Sequence, residues 1–344
     1  MLQRIKKSVE KIFRQNFKLR KGERVLILTD APLSKDVERK DPVLLEEMSE
    51  RVELALNVWR VGRKLFKNNL FNFYAYPSTW QHGKEPGKEV EKLMKNHDVV
   101  VAITTFSLSH TKARRRATKA GVRIASMPGA TKQMFFEQGA LNVNYRRLKA
   151  YCQKWKKLAE SADTARITTD SGTDIEIGIA NPFEVDDGDL SYEGAFGNLP
   201  AGEVFAAPDD ANGILVVEPN EGLNLFERME ISIENGKVVS IGGERFFGRE
   251  LEAKLGLNRK TPTKKQLSRR VIAELGIGVN YKAKDPTNVL EAEKIKGTVH
   301  VAIGDNSSFP NGKNYSDLHI DFVLFKPTLR LDGILVMKKG KWSV

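Results

Sequence analysis

The chain has 344 residues, of which 40% are hydrophobic and 29% are charged, and its formal net charge is +12. A chain of this length and composition buries a large core, so a disordered protein is excluded and two domains are expected. The single cysteine, Cys152, excludes an intrachain disulfide framework and a cysteine-based zinc or iron–sulfur site. Any metal would therefore be held by nitrogen and oxygen ligands.

The first half of the chain alternates predicted helices with predicted strands. Apolar residues at helical intervals predict an amphipathic helix over 2–17. Strands are predicted at RVLILTD (24–30), LFNFYAYPS (70–78), DVVVAITTF (98–106) and VRIASMP (122–128), and helices near 43–65 and at TKARRRATKAG (111–121). This alternation predicts an α/β N-terminal domain with a mostly parallel sheet, which we place at 1–158.

The segment between Thr104 and Thr111 leads from a strand end to a helix N-terminus. Anions and substrates often bind at this position in parallel sheets, so Ser107, Ser109 and His110 are candidate contacts. The alternative is that a serine caps the helix. The segment has no glycine-rich phosphate-binding fingerprint, so no nucleotide is inferred.

The second half of the chain is a succession of short alternating segments. Turn signals at SGTD (171–174) and ENGK (234–237) predict hairpins. Capping-box spacing at Thr263 and Gln266 predicts a helix that ends near Gly276 and has Glu274 at its foot. We therefore predict a mainly β (α+β) C-terminal metal-binding domain at 159–344.

The metal prediction begins with a histidine and an aspartate on one predicted strand. In DLHIDFVLF, His319 and Asp321 are two residues apart and therefore share a strand face. In KGTVHVAIGDN, His300 shares its face with the small Ala302, which leaves room for an ion. Taken singly, a buried neutralising pair and a satisfied core histidine are the simpler interpretations. Two histidines beside an aspartate favour a metal. His82 and His97 lie in polar, charged segments and are interpreted as surface residues.

Two glutamates lie in apolar segments that contain glycine: Glu203 in GNLPAGEVFAAP and Glu274 in AELGIGVN. The alternatives are a loop residue bonded to nearby amides for Glu203 and a helix-end residue facing water for Glu274. Together with the two histidines and Asp321 they make three carboxylates and two imidazoles. A pair of divalent ions with open coordination positions requires such a set.

These motifs, GNLPAGEVFAAP, AELGIGVN, GTVHVAIGDN and HIDF, resemble in order and approximate spacing those of the aminopeptidase T and aminopeptidase S family of metallopeptidases. The resemblance implies a two-domain, homodimeric enzyme that hydrolyses N-terminal residues from peptide substrates with two divalent ions (Zn, Co, Mn or Mg). It implies the metal ligands Glu203, Glu274, His300, His319 and Asp321. Glu203 and Glu274 are also the candidate catalytic residues.

One feature departs from the peptidase pattern. Those peptidases carry a tyrosine a few residues after the first ligand histidine, whereas DNSSFPNGKNYS here has none before Tyr315. The resemblance extends to dihydroxypyridine ring-opening dioxygenases, which use a single Fe(II) ion. Two histidines and one carboxylate also form the ligand set of mononuclear iron enzymes. In this alternative the glutamates orient the histidines.

The expected location is the cytoplasm, without a membrane partner. No apolar run approaches the roughly 20 residues that span a bilayer, and the N-terminus lacks the apolar segment of a signal peptide. A third hypothesis is a non-enzymatic nucleic-acid-binding protein, because basic clusters occur at 114–116, 154–157 and 338–342. These clusters are short and interleaved with acidic residues, so a solvated basic surface is preferred over a nucleic-acid partner.

Overall fold

The protein is described by a computed structural model that covers residues 1–219, 225–243 and 246–343. Internal contacts divide it into two compact units, each built from two segments. The first unit is Met1–Tyr145 with Asp186–Ala201, and the second is Arg146–Val185 with Gly202–Val344. The sequence prediction placed a single boundary at 158/159, whereas the chain here returns to the first unit to add one more strand.

The helices and strands follow the predicted change of character along the chain. Up to residue 135 they are α1 (Leu2–Lys11), β1 (Arg24–Ala31), α2 (Pro42–Leu65), β2 (Leu70–Pro77), α3 (Lys88–Lys95), β3 (Val99–Ala102), α4 (Lys112–Lys119), β4 (Arg123–Ser126) and α5 (Lys132–Phe135). They continue with α6 (Tyr145–Ala159), β5 (Thr164–Thr168), β6 (Asp174–Gly178), β7 (Glu184–Asp186), β8 (Phe196–Asn198), β9 (Glu203–Ala206), β10 (Asp210–Val217), β11 (Met229–Glu234) and β12 (Lys237–Gly242). The last are α7 (Phe247–Leu255), α8 (Lys264–Arg269), β13 (Ile272–Gly278), α9 (Val289–Ala292), β14 (Val299–Gly304), β15 (His319–Leu324), β16 (Thr328–Leu331), β17 (Ile334–Lys338) and β18 (Lys341–Trp342).

The first unit contains the predicted parallel sheet. Its order is β2-β1-β3-β4-β8, and each neighbouring pair is parallel. Strand β1 is buried continuously from Val25 to Asp30, as expected for a parallel strand covered on both faces. Helix α1 buries Ile5 and Val9, which confirms the amphipathic helix predicted at the N-terminus.

The N-terminus of α4, predicted as an anion-binding position, holds a carboxylate of the same unit. Glu85 accepts hydrogen bonds from the backbone N–H groups of Lys112 (2.6 Å) and Ala113 (3.1 Å). The Thr111 hydroxyl caps the helix by accepting from the Arg114 N–H at 3.2 Å. The first N–H groups of α4 therefore already have an acceptor, as the helix dipole favours.

The second unit is built on two sheets. One has the order β12-β11-β10-β6-β5-β16-β17-β18, and the other has the order β15-β14-β13-β9-β7. Both predicted hairpins are present, as the β5–β6 and β11–β12 pairs. At the second turn, Asn235 and Gly236 have φ values of 50° and 70°, the left-handed conformation that tight hairpin turns require. The fold class predicted from the sequence, an α/β part followed by a mainly β part, is confirmed.

The sequence prediction was wrong about the surroundings of Glu274. The predicted capping box at Thr263 and Gln266 does begin helix α8, but this helix ends at Arg269. Glu274 lies inside strand β13, in which every residue is buried. The strand pairs with β14 on one side and β9 on the other, so its backbone groups are satisfied in the sheet.

Within the described ranges, no helix is both long and apolar enough to cross a lipid bilayer.

Candidate metal centre

One face of the sheet formed by β15, β14, β13 and β9 carries all five predicted ligands. Directly paired residues of antiparallel strands point to the same face, and Glu274, Ala302 and Asp321 form such a row across three strands. His300 is two residues from Ala302 on β14, and His319 is two residues from Asp321 on β15, so both histidines join this face. The remaining predicted ligand is on β9, where Glu203 pairs with a residue of the same face of β13.

Small residues between these side chains leave space above the sheet. Gly276 is paired with His300, and a Cβ atom at Gly276 would lie 2.1 Å from the Cε1 and Nε2 atoms of the imidazole. Only glycine is compatible with this position of the ring. Ala302 likewise separates Glu274 from Asp321 with a single methyl group. Gly276 thus has a packing role, in place of the predicted role of ending a helix.

The side chains meet through their nitrogen and oxygen atoms. The Nε2 atom of His300 lies 3.3 Å from Glu274 Oε1 and 3.5 Å from Glu203 Oε2. The Nε2 atom of His319 lies 3.2 Å from Glu274 Oε2 and 3.3 Å from Asp321 Oδ1. Glu274 therefore contacts both imidazoles, one with each carboxylate oxygen.

These contacts join overlapping groups of ligand atoms, and no group in the described part of the chain contains both histidines. Among the described residues, three groups have ligand atoms that all lie within 4.8 Å of one another: Glu203, Glu274 and His300; Glu274, His319 and Asp321; and Glu293, His300 and Asp321. Three residues, Glu274, His300 and Asp321, each belong to two of these groups. The side chain of His300 is 1% exposed and that of Asp321 is 19% exposed, so the cluster is accessible on the Asp321 side.

The protonation of His319 indicates what the cluster binds. Its Nδ1 atom lies 2.7 Å from the backbone carbonyl of Asp305, which only accepts, so Nδ1 carries a proton. In a neutral imidazole, Nε2 then presents a lone pair, and it faces the carboxylates of Glu274 and Asp321. Acceptors facing acceptors require a proton or a cation between them. A hydrogen bond from the second nitrogen to a carbonyl is also how metal-bound histidines are held.

The pKa values of the cluster also indicate that it stabilises positive charge. Burial lowers the pKa of His300, but the hydrogen bond and charge of Glu274 outweigh burial and raise this pKa to about 9. Burial opposes protonation of His319 as well, yet the carboxylates of Asp321 and Glu274 raise its pKa well above the ordinary value. Burial also raises the pKa of Glu293, to about 8. These are the protons that a divalent cation displaces when it binds such a site.

Two charged residues of the cluster were not identified in the sequence. Glu293 belongs to one of the ligand groups, and Lys294 makes ion pairs with Glu203 and with Glu293, the latter at 3.0 Å. The Lys294 side chain is only 1% exposed. Both residues lie in EAEKIKG, a run that has the composition of an exposed turn, so the sequence carries no signal of their burial.

An aromatic wall beside the cluster was also missed. Phe205 lies on the same strand face as Glu203, and its ring centroid is 4.9 Å from that of Phe309. The Phe309 ring lies edge-on to His319, at 6.2 Å and 74°. The first tyrosine after His300, Tyr315, is 61% exposed. The ring that lies beside His319 is that of Phe309, which has no hydroxyl group.

Comparison with known proteins places the chain in a family. A family model described as 2,5-dihydroxypyridine 5,6-dioxygenase (NicX) matches residues 8–344. The chain belongs to this family. A search of curated protein sequences gave no match.

Solved structures with the fold of this NicX-family protein include a dihydroxypyridine dioxygenase and AmpT. The structure of 2,5-dihydroxypyridine dioxygenase from Pseudomonas putida KT2440 matches with a TM-score of 0.72 at 17% identity, covering 100% of this chain and 98% of the other. Wild-type AmpT from Thermus thermophilus matches with a TM-score of 0.63 at 14% identity, covering 99% of each chain. At these identities the structures show a shared fold.

The family match corrects the functional prediction. The prediction of a metalloaminopeptidase, and with it hydrolase and protease activity on peptides, is wrong, because the family model is that of a ring-cleaving dioxygenase. AmpT shares the fold, but the family match is to the dioxygenase. A metal site is supported by the buried cluster, but two ions are not. The homodimer and the cytoplasmic location remain predictions.

Proposed function

We propose that this NicX-family protein is a dioxygenase that holds one Fe(II) ion and opens the ring of an electron-rich hydroxylated aromatic compound of the 2,5-dihydroxypyridine type. The observation that carries the proposal is the buried face on which His300 and His319 direct Nε2 toward carboxylates. Nitrogen and carboxylate ligands without thiolates suit ferrous iron. The family match selects oxygen chemistry over hydrolysis.

The proposed ligands are His300, His319 and Asp321. Two histidines and one carboxylate leave coordination positions open for a substrate and for O₂. Asp321 is assigned as the carboxylate because it contacts His319 and is the more accessible acid, at 19% exposure against 7% for Glu274. Glu274 and Glu203, whose oxygens lie beside the same Nε2 atoms, are then carboxylates that border the ion and balance its charge.

When bound, the iron would supply the electrons that activate O₂ and a Lewis acid for a ring hydroxyl. The protein supplies position and surroundings. The hydrogen bond to the Asp305 carbonyl fixes the orientation of His319. Phe205 and Phe309 provide an apolar surface beside the site that excludes water and suits a planar ring. Since ring cleavage by a dioxygenase adds both atoms of O₂ to the substrate, no separate reductant is consumed.

The test is oxygen uptake by the purified chain, loaded anaerobically with one equivalent of Fe(II). We expect uptake of one O₂ per 2,5-dihydroxypyridine consumed, with loss of the ring's ultraviolet absorbance. Hydroquinone and unsubstituted pyridine serve as a hydroxylated carbocycle and an unactivated ring. Zn²⁺-loaded protein is the matched control and should be inactive. A folded, iron-loaded protein that consumes no oxygen with any dihydroxylated ring would contradict the proposal.

A further inference from the structure

Lys294 is a buried cation in contact with two carboxylates of the cluster. Its ammonium forms ion pairs with Glu203 and Glu293, while its side chain is 1% exposed. The backbone holds it in place, because the Lys294 carbonyl accepts from the Asn280 N–H at 2.8 Å and the Lys294 N–H donates to the Glu291 carbonyl at 3.1 Å. A buried ammonium is tolerated only when its charge is paired, so Lys294 and its carboxylates form a unit.

Glu203 connects this ammonium to the histidine cluster. One of its oxygens contacts the Lys294 Nζ atom, and the other lies 3.5 Å from the Nε2 atom of His300. In two-metal sites, two cations lie about 3.5–4 Å apart and share ligands of this kind. Here the Lys294 ammonium contacts one oxygen of the Glu203 carboxylate, and His300 lies near the other.

We propose that Lys294 occupies the position of a second cation and thereby limits the chain to one divalent ion. Glu203 and Glu293 carry the oxygen ligands that a second ion would need, and the ammonium holds both. It also repels a second ion electrostatically, and the repulsion is strong because the site is buried. The inference rests on the proposed function only for the place of the first ion, at His300, His319 and Asp321.

The test counts bound Mn²⁺ in the full chain after removal of all metal with a chelator. Lys294→Met removes the charge and keeps a long side chain, Lys294→Arg retains the charge, and Lys296→Met is the matched control at an exposed lysine nearby. We expect one Mn²⁺ per chain for the wild type, Lys294→Arg and Lys296→Met. For Lys294→Met we expect two per chain, with the electron paramagnetic resonance spectrum of a coupled pair.

Two results would overturn the inference: two coupled ions in the wild type, or a folded Lys294→Met variant that still binds only one. If Lys294→Met does not fold without metal, we expect Mn²⁺ to restore its cooperative thermal transition, because a divalent ion replaces the lost charge. Failure of Mn²⁺ to restore folding would also count against the inference. Since ions are counted without substrate, a chain that binds one ion but lacks oxygenase activity contradicts the proposed function alone.

Discussion

Buried histidines in the two units differ in what faces their second nitrogen. In the first unit, His97 is 6% exposed, its Nδ1 atom lies 2.7 Å from the Leu93 carbonyl, and its Nε2 atom lies 2.8 Å from the Asn72 side-chain amide. Nδ1 therefore donates and Nε2 accepts. A neutral imidazole has both of its hydrogen bonds satisfied here, and nothing further is required of the site.

In the second unit, the Nδ1 atom of His319 has the same kind of partner as that of His97, but the Nε2 atom has a different one. Its Nδ1 atom also donates to a carbonyl, that of Asp305, but its Nε2 atom faces Glu274 and Asp321. The Nε2 atom of His97 accepts a hydrogen bond from an amide, whereas the Nε2 atom of His319 faces two carboxylate acceptors. Burial and residue type are thus poor indicators of a ligand site, and the kind of partner on the second nitrogen is a better one.

The largest expected effect comes from removing a proposed ligand. His319→Ala and Asp321→Asn should each weaken Fe(II) binding by at least about 100-fold, since losing even an outer partner of a ligand costs roughly 10–100-fold. Oxygen uptake should fall in parallel. Metal analysis after gel filtration measures the occupancy, and His97→Ala serves as the control that retains its iron. Normal iron content in both ligand variants would break the distinction between the two kinds of histidine.

A smaller effect is expected from Glu274, which contacts both imidazoles. Glu274→Gln keeps the shape and removes the charge, so iron affinity should fall by about 10–100-fold while the fold is retained. Calorimetric titration with Co²⁺ as an air-stable probe measures this change. A loss as complete as that of Asp321→Asn would show that Glu274 is itself a ligand and would exchange the roles of the two carboxylates.

The sequence predicted the strands that carry the site more successfully than its chemistry. His319 and Asp321 were placed on one strand face by their spacing alone, and the structure brings them into contact. His97 was interpreted as a surface residue because its neighbours are charged, yet it is buried, and its Nε2 atom accepts from Asn72, which lies 25 residues earlier on β2. Such long-range partners leave no trace in the local sequence.

Partners distant in the sequence also explain why Lys294 was not identified and why Glu274 was placed on a helix. Lys294 lies in a charged run, and only the folded chain brings Glu203 to it. Glu274 was placed at a helix end because Gly276 has the usual residue type of a helix terminator. The need for glycine there comes from His300, on the neighbouring strand. Function was misassigned for a related reason, because motifs shared by two families with one fold do not distinguish their reactions.

His97→Ala tests whether the buried histidine of the first unit has a purely structural role. The substitution removes the acceptor of the Asn72 amide, while the Leu93 carbonyl keeps the Asn96 N–H as a donor, so we expect a loss of about 1–3 kcal/mol in the free energy of unfolding. Iron content per folded chain should stay unchanged. Urea unfolding followed by circular dichroism measures the stability. A stable variant with reduced metal binding would contradict a purely structural role for this histidine.

The smallest effect is expected for Asp317, a carboxylate near solvent that has two cationic partners. Asp317, two residues before His319, accepts from Arg269 and Lys265, and these hydrogen bonds lower its pKa to about 2. A depressed pKa stabilises the fold above the ordinary value near 4, and this contribution disappears as pH falls toward 2. At 36% exposure, Asp317→Asn should cost only about 0.5 kcal/mol at pH 7.

Denaturant titrations of wild type and Asp317→Asn at pH 7 and pH 3 measure this difference. It should shrink at the lower pH, because the Asp317 carboxylate of the unfolded wild-type chain takes up a proton there, whereas that of the folded chain remains largely ionised. A difference that grows on acidification would contradict the assignment. Iron content should be equal in the two proteins at pH 7, since Asp317 is bound by Arg269 and Lys265 and is not a proposed ligand.

A crystal structure of the iron-loaded protein, with data collected above and below the iron absorption edge, would locate the metal. We expect one anomalous peak per chain, within bonding distance of His300 Nε2, His319 Nε2 and a carboxylate oxygen of Asp321, with Lys294 still paired to Glu203. A pair of peaks, or iron bound away from these three side chains, would contradict this assignment.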